Sequence, residues 1–194
     1  MPLIADAVLF REAVNIGREV IWSHTYGKRF VDADADRSKG PPRLAKVFEP
    51  TISEEGEIPG TEPDVIHYDV GTRRLHVGKG HFANVTPEMW NYEISGKKVI
   101  WQWFSYRKRN RTKPIIGDRR PPSPLDKIQP EGWLAEYTTD LLDLLNVLGR
   151  VIALEPRQAD LLNRICDGPL IAIQDLQEAG IVAKPEAVAE AEED

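Results

Sequence analysis

The spacing of apolar residues predicts an amphipathic helix near the start of the chain. Asp6 is a residue type that caps helix N-termini, and apolar side chains recur at helical spacing from there to about His24. Charged side chains such as Arg11 and Glu12 fill the opposite positions. We therefore expect one face of this helix to dock on a core.

The period of the pattern changes from helical to alternating after residue 64. Segments 65–70, 73–77 and 81–85 read as strands separated by glycine-containing turns, which predicts a three-stranded antiparallel meander. Thr86 and Pro87 suit the cap and first turn of a following helix. One further short strand is predicted near residues 44–48.

Two stretches later in the chain favour helices. Residues 97–109 have helical spacing, although a strand through 99–104 is the competing interpretation because tryptophans and β-branched residues also suit a sheet. Residues 131–154 form the longest helical pattern, with a wide apolar face that belongs in the core or against a partner domain. A second helix is predicted over 156–166, with Cys166 as a small buried side chain. The fold class is therefore α+β: a small antiparallel meander plus several helices.

Three stretches lack a regular pattern. Residues 32–63 are rich in Asp, Glu, Gly and Pro and predict a long irregular connection. Residues 110–124 predict a loop rich in proline and arginine. Residues 172–194 predict a helical turn followed by an acidic, disordered tail.

The distribution of charge matters more here than the net charge of -6. Residues 1–60 carry 8 basic and 10 acidic side chains, residues 61–120 carry 12 and 6, and residues 121–194 carry 5 and 15. Electrostatic attraction to phosphate is local because salt screens it over about 10 Å. A basic central third can therefore bind a polyanion despite its acidic flanks, although a solvated surface would have the same composition.

Several catalytic classes have no sequence support. The chain lacks a GxxxxGK phosphate loop, a glycine fingerprint after a strand, and the Asn/Asp-Pro-Pro-aromatic loop of adenine methyltransferases. The four histidines are not at metal-ligand spacing. Carboxylates such as Asp126, Glu131 and Glu136 fit the start of a helix better than a catalytic centre. We expect a cytoplasmic protein with no cofactor, no metal, no catalytic residue and no membrane contact.

Basic and aromatic residues interleave in the central third, as DNA binding requires. Lysines neutralise phosphates, and arginine side chains also reach guanine edges. Trp101 and Trp103 lie among these cations and fit either the core or the interface. The predicted DNA-binding residues are Arg73, Arg74, Lys97, Lys98, Arg107, Lys108, Arg109, Arg111, Lys113, Arg119 and Arg120.

Three motifs, in a fixed order, carry a resemblance to a known family. They are His-Thr-Tyr-Gly within VLFREAVNIGREVIWSHTYGKRF, Tyr-Glu-x-Ser-Gly within WNYEISGKKVIWQWFSYRKRNR, and Ser-Pro-Leu-Asp within SPLDKIQPEGWLAEY. The chain is similar to the C-terminal specificity domain of type ISP restriction–modification enzymes, over almost all of residues 3–171. The enzymes of this family combine nuclease, motor, adenine-methyltransferase and target-recognition parts, and only the last part is resembled here.

The resemblance implies that residues 1–171 form a non-catalytic DNA target-recognition domain. The implied partners are double-stranded DNA and the methyltransferase domain or subunit of the same system. A second interpretation is a protein–protein interaction subunit, in which the long helix and the acidic C-terminal third dock onto a methyltransferase or motor.

Overall fold

The fold combines helices with a small antiparallel sheet, which confirms the predicted α+β class. The computed structural model describes residues 3–52, 65–108 and 132–182. A short 3-10 helix lies at Ala33–Ala35. The other elements are α1 (Ala7–His24), β1 (Thr51–Ile52), β2 (Ile66–Asp69), β3 (Arg74–Val77), β4 (Gly80–Ala83), α2 (Pro87–Asn91), β5 (Glu93–Ile94), β6 (Lys97–Lys98), α3 (Val99–Ser105), α4 (Ala135–Asp167) and α5 (Ile173–Glu178).

The chain forms two compact units, whose division falls within α1 and α4. The smaller unit comprises residues 1–18 and 156–194. In it, a β-bridge joins Ile4 to Leu170, and Arg164 forms a salt bridge with Glu12. The larger unit, Glu19–Glu155, contains the sheet and all six predicted cations that the structure describes.

The predicted meander is confirmed, and a fourth strand joins it. The strand order is β1-β4-β3-β2 and every pairing is antiparallel. Alternate side chains, including Tyr68, Leu75 and Phe82, are buried on one face. The strand predicted near residues 44–48 is wrong. Residues 46–48 form a turn, and Val47 and Phe48 are both exposed, so this segment lacks the alternation of buried and exposed side chains seen in the sheet.

The sheet and three helices share one core. Met89 of α2, Ile100 and Phe104 of α3, and the Leu141–Leu145–Leu148 face of α4 are all buried in it. Ile100 and Phe104 are one helical turn apart, which explains why residues 99–105 form the predicted helix and not the competing strand. Thr86 caps α2 as predicted, because its hydroxyl accepts a hydrogen bond from the Met89 amide.

The last two predicted helices are one. α4 runs for 33 residues with Pro156 inside it, so the prediction of a separate helix over 156–166 is wrong. Proline removes one backbone donor, but the apolar spacing continues through Leu161 and Ile165, both of which are buried. Cys166, the next residue, points to the exposed side of this helix, contrary to prediction.

A polar stripe on α4 fixes the irregular connection that follows α1. The buried amide of Asn146 accepts a hydrogen bond from the Leu44 amide (2.9 Å), and Asp143 pairs with Arg43 (2.9 Å). Arg150 donates to the Arg43 carbonyl (3.0 Å) and to Asp36 (3.1 Å). Residues 143, 146 and 150 share one helix face, so α4 organises the connection as well as the core.

Candidate nucleic-acid interface

The predicted DNA-binding residues fall into three sets. Lys97, Lys98, Arg107 and Lys108 lie on the β5–β6 hairpin and around α3, whereas Arg73 and Arg74 lie on the sheet. The other five lie outside the described residues: Arg109, Arg111, Lys113, Arg119 and Arg120.

The β5–β6 hairpin presents two adjacent lysines in different environments. Lys97 is exposed at the hairpin tip. Lys98 is half-buried: its ammonium group donates to the Asn91 side chain (2.8 Å) and lies 6.0 Å from the centre of the Trp90 ring. Lys97 is therefore the better placed of the two for a phosphate contact, and Lys98 also ties the hairpin to α2.

Arg107 is held by the protein's own side chains. Its guanidinium stacks 4.0 Å from the centre of the Trp103 ring, donates to the Trp103 carbonyl (3.1 Å) and lies 3.6 Å from the Asp140 carboxylate. Tyr137 contributes a second aromatic contact, at 5.4 Å. These contacts favour a role for Arg107 in fixing the end of α3 against α4 over a direct role in reading bases.

The tryptophans divide between core and surface. Trp103 is half-buried and forms an edge-to-face cluster with Trp133 and Tyr137, so it belongs largely to the core. Trp101 is 40% exposed, and its ring lies 6.2 Å from that of Trp90. Trp90 therefore lies between the partly exposed Trp101 ring and the ammonium group of Lys98.

Arg73 and Arg74 lie at the turn between β2 and β3, and both are exposed. Asp69 organises this turn by accepting hydrogen bonds from the Gly71 amide and the Thr72 hydroxyl (both 2.8 Å), and these bonds hold the pKa of its carboxyl below the usual value. Arg73 adopts a left-handed conformation with φ of 52°. The turn therefore presents both guanidinium groups from a fixed backbone.

A stacked aromatic pair lies beside the hairpin cation Lys98. Tyr68 stacks on Trp90 with ring centres 5.4 Å apart. Burial raises the pKa of Tyr68, and the charge of Arg73 opposes that change. Lys98 lies over Trp90. Lys98 is thus close to one of the two stacked rings, and the charge of Arg73 acts on the hydroxyl of the other.

The His-Thr-Tyr-Gly motif ends α1 and forms one wall of a cleft of about 800 Å³. The Gly27 amide donates to the Trp22 carbonyl, and Gly27 has a φ of 67°. A Cβ atom here would lie 1.8 Å from the Gly40 carbonyl oxygen, so only glycine fits. The wall residues are Tyr26, Gly27, Lys28, Val31, Lys39, Gly40, Pro41, Trp103, Arg107, Asp140 and Asp143.

Burial dominates the electrostatics of this cleft. It raises the pKa of the Tyr26 hydroxyl, and the charges of Asp143 and Asp140 raise it further. Burial also raises the pKa of Asp143, although the adjacent Arg43 guanidinium opposes that change. Two carboxylates and two rim lysines therefore share a site that sequence reasoning missed. The glycine of His-Thr-Tyr-Gly and the polar positions of α4 were the signals that could have indicated it.

A small α+β domain with an exposed cationic hairpin beside aromatic rings is typical of a binding module. A family model, the type ISP C-terminal specificity domain, matches residues 1–144, and the chain belongs to this family. Neither the curated proteins nor the solved structures contain a match. Among the described residues, no helix is long and apolar enough to cross a membrane, and no group of three or more His, Cys, Asp or Glu side chains could hold a metal ion.

Proposed function

We propose that this chain reads double-stranded DNA for a restriction–modification enzyme in the cytoplasm and has no catalytic centre of its own. Membership of the type ISP specificity-domain family carries the proposal, because the specificity part of such an enzyme selects the DNA site that the catalytic parts act on. The methyltransferase domain or subunit of the same system is the proposed partner. Residues 1–171 are proposed as the recognition domain.

The cations of the central third are the proposed contacts. Lys97, Lys98 and Lys108, together with Lys113 outside the described residues, would bind phosphates. Arg73 and Arg74 extend the surface from the sheet. Arg109, Arg111, Arg119 and Arg120 are proposed for mixed phosphate and base contacts, with Arg107 placed behind them as a positioning residue. Phosphate contacts position a protein on DNA and base contacts specify the sequence, so substitutions in the two groups have different effects.

No observation supports the alternative of a protein–protein interaction subunit. That idea rested on the wide apolar face of the long helix. In the described residues, Leu141, Leu145 and Leu148 of that face are buried in the core that the sheet and α3 share, so these side chains are not exposed to a partner.

The test is the salt dependence of binding to a labelled duplex of random sequence. Each phosphate contact contributes roughly 0.9 to the slope of log affinity against log salt. We expect Lys97→Ala to weaken binding to all sequences alike and to lower the slope by about 0.9. The charge-matched control is Lys46→Ala, at an exposed lysine of the connection, and it should change neither quantity. Absence of binding at low salt, or equal effects of the two substitutions, contradicts the proposal.

A further inference from the structure

The tip of the β5–β6 hairpin has a fixed shape. Glu93 pairs with Lys98 and Ile94 with Lys97, which leaves a two-residue turn of Ser95 and Gly96. Both turn residues have positive φ, 51° and 74°. This combination defines the type I′ turn, whose twist matches that of the flanking strands. The tip is therefore a preformed projection.

The hairpin presents an aliphatic side chain that the core does not use. Ile94 is 57% exposed. Directly paired residues of two antiparallel strands point to the same face, so Ile94 and Lys97 project together. They form one wall of a notch of about 370 Å³, whose other walls come from the α3 region and from Leu144 of α4. The α3-region residues are Val99, Gln102, Trp103, Tyr106 and Arg107. The hairpin thus exposes an apolar side chain, Ile94, next to a cationic one, Lys97.

This combination matches the chemistry of a DNA groove. A two-stranded ribbon is narrow enough for the major groove, where thymine exposes a methyl group to apolar side chains and the phosphates lie at the rim. Glu93 is the only acidic residue of the hairpin, and its strand partner is Lys98. Because successive side chains of a strand alternate, Glu93 and Lys98 lie on the face opposite to Ile94. The local charge on the Ile94 face is therefore positive.

We infer that the β5–β6 hairpin enters the major groove and that Ile94 determines specificity by contacting a thymine methyl group, with Lys97 on a neighbouring phosphate. The inference rests on the proposed function. It adds a base-contacting residue that is not a cation and that no charge-based reasoning would select.

The experiment uses the full chain and a duplex selected from a randomised pool. Each thymine of the selected duplex is replaced in turn by deoxyuridine, which lacks only the methyl group. At the thymine that Ile94 contacts, we expect the replacement to lower the affinity of the wild type about threefold to fivefold, which is the effect of losing one buried methyl group. Ile94→Ala should bind the selected duplex more weakly and be insensitive to that replacement, whereas Ile94→Leu should keep the sensitivity.

Ile173→Ala is the matched control, because Ile173 is 58% exposed but lies in the other compact unit. It should behave as the wild type. If DNA is bound but no thymine replacement distinguishes Ile94→Ala from the wild type, the inference is overturned and DNA recognition stands. If no duplex is retained by the wild type, both the inference and the proposed function are overturned.

Discussion

At the scale of single residues, neighbouring groups decide what a charged or small side chain does. Arg107 and Lys97 are ten positions apart, and both were predicted to contact DNA, Lys97 at phosphates and Arg107 at phosphates and base edges. Arg107 lies against Trp103, Tyr137 and Asp140, whereas Lys97 projects from an exposed hairpin. The sequence indicates that both are cations, but not that Arg107 is largely enclosed by its neighbours while Lys97 is exposed.

Arg107→Lys is expected to lower the free energy of unfolding by about 1–2 kcal/mol. Lysine keeps the charge but loses the planar stacking on Trp103 and the hydrogen bond to its carbonyl. Urea denaturation measures the change, and Lys97→Arg, at an exposed position, should leave stability unaltered. Unchanged stability of Arg107→Lys, combined with a loss of DNA affinity, would instead make Arg107 a direct contact.

Gly27→Ala is expected to be among the most destabilising small substitutions. A left-handed backbone costs alanine about 1–2 kcal/mol, and overlap with the Gly40 carbonyl adds roughly 1–3 kcal/mol. Gly96→Ala is the control, since its φ is 74° but nothing lies within 4 Å of the added Cβ. Thermal unfolding of the two variants separates backbone strain from overlap, and equal losses would refute the close approach of the two loops.

At the scale of elements, periodicity identified most of the fold. α1 and the meander are where the spacing of apolar residues places them, and α2 follows its predicted cap. α3 forms within the predicted range of 97–109 but covers only Val99–Ser105, because Lys97–Lys98 belong to a strand. The errors have physical causes. Residues 44–48 are apolar enough for a strand, but the Leu44 amide donates a hydrogen bond to the side chain of Asn146 on α4, 102 positions away in sequence. The merger of two predicted helices across Pro156 likewise reflects packing that continues on both sides of the proline.

The site was less predictable than the fold. The sequence identified Lys97 and Lys98 as candidate contacts, but it predicted a helix from residue 97, whereas these two lysines form strand β6 of a hairpin. The cleft beside Tyr26 combines the end of α1, the irregular connection, α3 and α4. Such a juxtaposition depends on tertiary contacts that have no local pattern. The spacing of Asp143, Asn146 and Arg150 is compatible with one helix face, but no local pattern in the sequence indicates their partners in residues 36–44.

Asn146→Ala tests whether α4 fixes the connection. The substitution leaves the Leu44 amide without its acceptor in a partly buried site, which costs about 1–3 kcal/mol. Asn163→Ala, at an exposed position of the same helix, is the control and should change stability by less than about 0.5 kcal/mol. Hydrogen exchange should show faster exchange of the Leu44 amide in Asn146→Ala only, and equal exchange in both variants would contradict this role.

At the scale of the whole molecule, function depends on where charge is placed. The chain has a net charge of -6, yet its central third carries twice as many basic as acidic residues. The described cations of that third lie on the larger unit, at two turns of the sheet, on the hairpin and at the end of α3. An acidic protein can therefore present a basic surface, and its carboxylates elsewhere would repel DNA from other faces.

The most direct test of this account is a selection of randomised duplexes by the chain alone, followed by a titration of the enriched duplex and of a shuffled duplex with the same composition. Our account predicts one enriched sequence, bound at least about tenfold more tightly than the shuffled control, since specific sites are commonly bound orders of magnitude more tightly than random DNA. Equal affinity for the two duplexes would contradict it, because a domain that binds every sequence alike cannot be the part that chooses the site.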